Sequence, residues 1–258
     1  MKRLSVIIPS RRQPDQALFL TRALRSVHEQ TVRTTVLIDV LIGLDPDATP
    51  PELPPIDIAV RYTNAAERSQ AAALNAAATL CEGDYVAFLE DDDRWLSGHL
   101  AVALECLTQS QFVSTTQLEV DGAGTIVRIN DFPTPSGWVM PRSTWERVGG
   151  FDPQFRYHLD NEWLGRLGAA ALPRIHIAEA TAPAQLALAA QVRPWLANVV
   201  TYGGGQVRLA RHSNALPNVV RLVHPGSGMS QIASEPAKQQ ASLDEITRLQ
   251  TKFGHLPW

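Results

Sequence analysis

The sequence predicts an α/β protein built on a doubly wound, mostly parallel sheet, with a smaller and more antiparallel region in its second half. Three observations carry this expectation. Short β-branched and apolar runs alternate with helical apolar spacing through residues 1–95, the pattern of parallel strands joined by helical crossovers. These runs close on Pro9-Ser10, on Asp45-Pro46-Asp47 and on Glu90-Asp91-Asp92-Asp93, and open α/β sheets keep their ligand crevice at such strand ends. Beyond residue 96 the apolar runs are separated by turn residues such as Asp121-Gly122-Ala123-Gly124, which favour antiparallel connections.

Taken in order, Leu4 to Ile8 is a β-branched run, and Leu18, Leu20, Leu24 and Val27 then follow a helical spacing. Val36 to Leu44 is a second strand. It feeds a loop in which Pro50, Pro51, Pro54 and Pro55 forbid regular structure. Ile56 to Tyr62 is a third strand, Arg68 to Leu80 an alanine-rich helix, and Tyr85 to Leu89 a buried strand. Further on, Gly98 to Leu107 reads as helix, Phe112 to Leu118, Ile126 to Ile129 and Gly137 to Met140 as strands, and Ser143 to Val148 as a helix stopped by Gly149-Gly150. His158 opens a helix to about Leu167, Arg174 to Ala178 is a strand, and Pro183 to Val200 a long amphipathic helix. Gly203-Gly204-Gly205 lacks the spacing of a dinucleotide loop and reads as a turn. Val219 to Ser230 holds Val223-His224-Pro225-Gly226-Ser227, and a polar tail from Ser234 ends in a helix around Leu243 to Phe253.

Composition narrows the partners. A net charge of -3 in 258 residues provides no basic field for nucleic acid or an anionic membrane surface. Cys81 and Cys106 have neither metal-ligand nor disulfide-framework spacing, so packed, reduced thiols are expected. The apolar run after Met1-Lys2-Arg3 ends at Pro9, too short for a signal peptide, and no stretch reaches membrane-span length. A cytoplasmic protein is expected.

The chemistry concentrates in the four consecutive acids. Charge blocks on their own are mostly solvated surface. Here the block follows a buried strand, where like charges repel and call for a counter-charge. Oxygen ligands of this kind suit Mg2+ or Mn2+, which commonly take one or two protein carboxylates and leave other positions to water and phosphate. A nucleoside diphosphate is the implied ligand.

Several motifs in order resemble the family 2 glycosyltransferases with the GT-A fold. Leu4 to Ser10 is similar to their opening strand, and the helix ending Ala23 to Thr31 to the element after it. Ala72-Ala73-Leu74-Asn75 through Asp93 resembles the approach to the DXD-type acidic motif. Gly137 to Asp152, with Asp160-Asn161-Glu162-Trp163, resembles the acceptor-side segment, and Arg221 to Ser227 the late histidine motif. The likeness runs from Leu4 to Ser230. It implies a nucleotide-sugar-binding half over residues 1–95, an acceptor-side and catalytic half of the same domain over 96–233, and a helical tail over 234–258.

By position, the resemblance implies that Pro9 and Asp45 hold the nucleotide base, with Arg68 reaching the same base. Ser10 and Arg11 join the nucleotide site, and Asp91 contacts the ribose. Asp92 is the implied principal metal ligand, Asp93 acts through water, and His224 completes the metal or pyrophosphate site. Asp160 is the implied general base, with Glu162 one acid further along. Departures from the pattern are Glu90 where aspartate is usual, which leaves the metal register within Glu90 to Asp93 open by one residue, and Leu159 where an acid commonly precedes the base. Leu44-Asp45-Pro46-Asp47 also lacks the Gly-Ser expected after the base-binding aspartate.

The expected reaction is metal-dependent, inverting transfer from a nucleotide-diphosphate sugar, a UDP-sugar foremost, to a hydroxyl of a glycan, a lipid-linked acceptor or a small molecule. The metal offsets charge on the leaving pyrophosphate and a carboxylate takes the acceptor proton. Each residue also has a plainer reading: Asp160 as a helix cap, His224 as an ordinary histidine, Trp138, Trp145 and Trp163 as core rather than sugar platforms, Arg11 and Arg12 as solvated surface. Asp45 to Pro55 and Asn130 to Ser136 are expected as covering segments. Two other functions compete: a sugar-nucleotide-binding protein without turnover, and a nucleotidyltransferase, whose Gly-rich basic signature is missing from Pro9-Ser10-Arg11-Arg12.

Overall fold

Strand order in the computed structural model places the crevice before any side chain is considered. The structure describes residues 1–11, 17–130, 132–179, 200–202, 205–213 and 217–257. The first half supplies β1 (Lys2–Ser10), α1 (Ala17–His28), β2 (Val36–Leu44), β3 (Ala59–Asn64), α2 (Gln70–Ala78), β4 (Tyr85–Phe88) and β5 (Arg94–Trp95). Then come α3 (His99–Cys106), β6 (Phe112–Thr115), β7 (Gln117–Val120), β8 (Ile126–Asn130), β9 (Val139–Pro141), α4 (Arg142–Val148), α5 (Leu159–Ala169) and β10 (Arg174–Glu179). The last described elements are β11 (Val200–Tyr202), β12 (Gly205–Ser213), β13 (Val219–Leu222), α6 (Gly228–Ser234) and α7 (Pro236–Phe253).

The main sheet runs β11-β12-β10-β6-β9-β4-β1-β2-β3. β1 pairs in parallel with both β2 and β4, while β9 is antiparallel to β4 and β6. The chain therefore leaves β1 toward β2 and β3, then returns to the other side of β1 as β4. Such a reversal opens a gap at the carboxyl ends of β1 and β4, because their crossovers lie on opposite faces. Period-two alternation fills both faces of β1. Leu4, Val6 and Ile8 cluster with Leu20, Leu24 and Val27 of α1 and Leu100 and Ala103 of α3. Ile7 clusters with Leu74 of α2, Trp145 of α4 and Trp163 of α5. Over β2, α2 rides so close that a Cβ on Gly43 would overlap the Ala73 carbonyl oxygen.

Phe112 to Leu118, expected as one strand, is two strands in two sheets. Thr115 pairs with Ile177 of β10, whereas Gln117 pairs with β13 and β8 in a sheet ordered β5-β13-β7-β8. Thr116, whose N–H still reaches the Ile177 carbonyl at 2.9 Å, is the switch. Phe112, Val113, Thr115 and Thr116 are strand formers and no turn residue interrupts the run, so propensity carries no mark of the change of partner. The expected helix Pro183 to Val200 lies outside the described residues except at Val200, and so do Gly203 and Gly204. β5, β11 and β12 were not anticipated. The tail helix starts earlier than expected, at Pro236, where a proline at the first turn forfeits no hydrogen bond. Among the described residues no helix is long and apolar enough to cross a membrane.

Candidate functional site

At the gap between β1 and β4 the chain forms a cavity of about 600 Å³. Pro9, Ser10 and Arg11 enter from the end of β1, Asp45 from β2, Arg68 from the approach to α2, Glu90, Asp91 and Asp92 from β4, and Asp160 from α5. Of the ten residues singled out for catalysis, nucleotide or metal, eight line this wall, all but Asp93 and His224, and β5 supplies the link that brings His224 to them. Trp95 pairs antiparallel with Val219 of β13, so the segment leaving β13 is carried back over the acidic run.

The acids differ in what they touch. The Asp93 side chain is 1% exposed, with Oδ2 accepting from Ser136 Oγ at 2.6 Å and Oδ1 from the Leu222 N–H at 3.1 Å, so it ties β4 to β13 from below the wall. Asp92 Oδ2 lies 3.0 Å from His224 Nε2, and the His224 ring packs on Phe19 with centroids 5.3 Å apart. Glu90 Oε1 accepts from Gln70 Nε2 at 2.6 Å, and Asp91 is hydrogen-bonded by the Ser10 side chain. Burial, then repulsion from Asp92, pushes the Asp91 carboxyl up to about 7. Burial raises Glu90 against the opposing pull of Arg221, and burial with Asp92 and Glu90 raises Asp93 well above the carboxylate range. The cluster is short of positive charge.

Among the described residues, Arg221 of β13 and, more weakly, Arg11 supply positive charge to the acids. Arg221 lines the cavity, and although burial opposes its charge, Glu90, Asp93, Glu119 and Asp92 together hold the guanidinium above its ordinary value. Arg221 was not anticipated as a site residue. Its signal was present all the same: a charge inside the apolar run Val219-Val220-Arg221-Leu222-Val223 needs a buried partner. Ser136 was missed as well. Its hydroxyl accepts from the Glu90 N–H at 3.0 Å while donating to Asp93, and its carbonyl takes the Trp95 indole N–H at 2.7 Å. The end of the Asn130 to Ser136 segment is thereby built into the wall.

The two acids of α5's first turn part company, since residues two apart on a helix point nearly opposite ways. Asp160 faces the cavity, its Oδ1 accepting from the Asn161 N–H at 2.8 Å; burial, and less strongly Glu90, pushes its carboxyl up to about 6. Glu162 is fully buried on the other face, bonded to Arg166 and Lys252 at 2.8 Å each. Trp138, Trp145 and Trp163 are core: they form one aromatic cluster with Phe88, Phe112 and Phe151, with Trp138 and Trp163 centroids 5.0 Å apart. Arg11 reaches the cavity, whereas Arg12 lies outside the described residues.

A family model described as glycosyl transferase family 2 matches residues 5–158. Curated protein sequences give no match. Among solved structures, S. aureus TarS 1-349 in complex with UDP-GlcNAc is similar with a TM-score of 0.55 at 14% identity, over 98% of this chain and 73% of that one. The mannosyltransferase PcManGT from Pyrobaculum calidifontis, in complex with GDP-Man and Mn2+, is similar with a TM-score of 0.56 at 16% identity, over 95% of this chain and 64% of that one. The chain spans 44% of the TarS chain in another crystal structure of that protein. At such identities the likeness to these structures is one of fold.

Proposed function

We propose that this chain, which belongs to glycosyl transferase family 2 and carries the GT-A fold, transfers a sugar from a nucleoside-diphosphate donor to an acceptor hydroxyl with inversion at the anomeric carbon. Family membership makes it a glycosyltransferase; donor class, stereochemistry and residue roles are what we add. The observation that carries them is the convergence of the acidic run, Arg221 and Asp160 on one cavity at the β1/β4 switch point.

In this reading residues 1–95 hold the donor, with Pro9, Ser10, Asp45 and Arg68 around the base, Asp91 at the ribose and Arg11 toward the diphosphate. Residues 96–233 present the acceptor, and 234–258 are an added helical tail. The residues present fit a divalent cation. Glu90, Asp92 and Asp93 each place a carboxylate oxygen within 4.8 Å of the others, all hard oxygen donors, and burial keeps this group in want of positive charge. Asp92 is the direct ligand in this assignment, with His224 beside it, while Asp93, whose two oxygens are taken by Ser136 and the Leu222 N–H, adds negative charge from behind the wall rather than acting through water. Mn2+ or Mg2+ held there would supply neutralising charge to the departing pyrophosphate.

The remaining work belongs to the chain's own groups. Arg221 adds a fixed positive charge on the same side as the acids, where the diphosphate gathers charge as its bond to the sugar breaks. Asp160 accepts the acceptor hydroxyl's proton while that oxygen forms its bond to the anomeric carbon and the electron pair of the breaking C–O bond leaves with the diphosphate. A carboxylate raised to about 6 suits this task, since it is ionised at neutral pH yet more basic than an ordinary aspartate. The fold neighbours TarS and PcManGT, in complexes with UDP-GlcNAc and with GDP-Man and Mn2+, support a nucleotide-sugar donor and point to UDP and GDP as the first to test.

Calorimetric titration of UDP, GDP and TDP, with and without Mn2+, on the wild type and on Asp92→Ala tests the reading. Mn2+-dependent binding of one nucleotide, lost in the variant, is the expected result; no binding of any nucleotide under either condition would overturn it.

A further inference from the structure

The side of α7 that faces the protein carries a buried carboxylate that the proposed reaction does not use. Ser242, Glu245 and Leu249 are the buried residues of this helix, spaced so that they share one face. Leu249, fully buried, joins the core beside Trp163, and Phe253 packs where Gly165 leaves room for it. Glu245 is 4% exposed, and an ionised side chain that deep requires partners. It finds three in succession. Its carboxylate oxygens accept the backbone N–H groups of Arg156, Tyr157 and His158 at 2.8, 2.9 and 2.9 Å. One turn earlier on α7, Ser242 Oγ stands 2.8 Å from His158 Nε2. Arg248 is the nearby cation, 3.8 Å from Glu245 at the rim.

Those three N–H groups belong to the residues that lead into α5. His158 occupies the position before the helix and makes no side-chain cap of its own; its backbone N–H, with those of the two residues before it, is held instead by a residue far along the chain, 87 positions away in the case of His158. Residues 156 to 161 all line the cavity, Asp160 among them. We infer that Glu245, with Ser242 in support, is a positioning residue for glycosyl transfer: it fixes the loop 156–158 and through it the place of the Asp160 carboxylate in the acceptor wall. The inference rests on Asp160 being the proton acceptor. Glu245 is bidentate toward a row of donors, and glutamine there would turn an amide N–H toward one of them. Glu245→Gln thus loosens the loop while keeping the volume of the side chain.

The test compares the wild-type chain with its Glu245→Gln, Ser242→Ala and Asp160→Asn variants. The readouts are hydrogen exchange of the 156–158 amides, the carboxyl titration of Asp160 followed by NMR, and nucleotide release from UDP-GlcNAc and GDP-mannose with water as acceptor. Positioning predicts that Glu245→Gln melts within a few degrees of wild type, loses amide protection at 156–158, and titrates Asp160 at a lower pH. Its donor KM stays unchanged while kcat falls about 10- to 100-fold, the scale of a misplacement near 1 Å. Unchanged protection together with an unchanged Asp160 titration would overturn the inference, and so would full turnover in Glu245→Gln beside an inactive Asp160→Asn. Full turnover in Asp160→Asn instead fails the base assignment and takes this inference with it. If Glu245→Gln does not fold, Ser242→Ala, which removes only the His158 contact, is read by the same measurements with the same signs and smaller size.

Discussion

Replacing Asp160 by asparagine should stabilise the fold at neutral pH while removing turnover. The carboxyl is raised from 3.8 to about 6 by burial first and by Glu90 second, against the favourable Asn161 N–H. A displacement of this size corresponds to about 3 kcal/mol against the charged form at neutral pH. The sign follows from proton counts. Below about pH 4 the group is protonated in both folded and unfolded chains and has no effect. Between about 4 and 6 the unfolded chain ionises first and wild type loses stability, and above about 6 the loss is complete. Asparagine keeps an oxygen for the Asn161 N–H and never ionises. It should therefore come within about 0.6 kcal/mol of wild type at pH 4 and exceed it at pH 7.5 by up to about 3 kcal/mol, about 6–12 °C in Tm for a chain of this length. Urea or thermal unfolding of both proteins in metal-free buffer at the two pH values measures this. The same carboxylate must be ionised to accept a proton, so wild-type kcat/KM should fall as pH drops through about 6. An Asp160→Asn protein no more stable than wild type at pH 7.5 would refute the burial argument, and one that turns over normally would refute the assignment of the base.

Other perturbations test different parts of the same framework. Arg221→Met leaves Glu90 and Asp93 without their shared cation, Glu119 keeping Arg128, and should destabilise by about 3–5 kcal/mol at pH 7.5; the loss shrinks at pH 5, toward which Glu90 and Asp93, raised by burial, take up protons, and equal losses at both values would count against the pairing. Gly43→Ala forces a methyl into the Ala73 carbonyl, backbone against backbone, and should lower stability by about 3 kcal/mol in urea unfolding with an unchanged m-value. Lys252→Met removes a half-exposed partner from Glu162 and should change stability by no more than about 1 kcal/mol. Arg166→Met, which strips the same buried carboxylate of its bidentate partner, should cost about 3–5 kcal/mol, and the reverse order of these two variants would show that α7, not α5, neutralises Glu162.

The first half of the chain was legible because its residues announce themselves through chain-local rules. Val36 to Leu44 is the strand expected, end to end, since a mostly apolar run rich in Val and Ile that closes on Asp45-Pro46 reads as a strand ended by a turn. The acidic run stood out because four like charges after a buried strand are costly anywhere except at a ligand site. The split at Thr116 was illegible for the opposite reason: changing sheets needs no change in residue type when both partners are strands. β5 is two residues long, and it exists only because Val219 and Val220 arrive from far along the chain to pair with Trp95 and Arg94.

Glu245 extends that reasoning to the site itself. Read locally, it sits in Leu243-Asp244-Glu245-Ile246, an ordinary stretch of polar helix in which an acid is expected on the solvent face. Its burial becomes visible only once Ser242, Glu245 and Leu249 are seen to share a face, and its proposed role only once the N–H groups before α5 are seen to point at it. Short-range signals mark the groups that carry charge or change backbone direction. Groups that hold a loop in place are recruited by geometry across long separations, so the sequence around α5 suggests Asp160 as the proposed proton acceptor and carries no sign of Glu245, the residue proposed to position it.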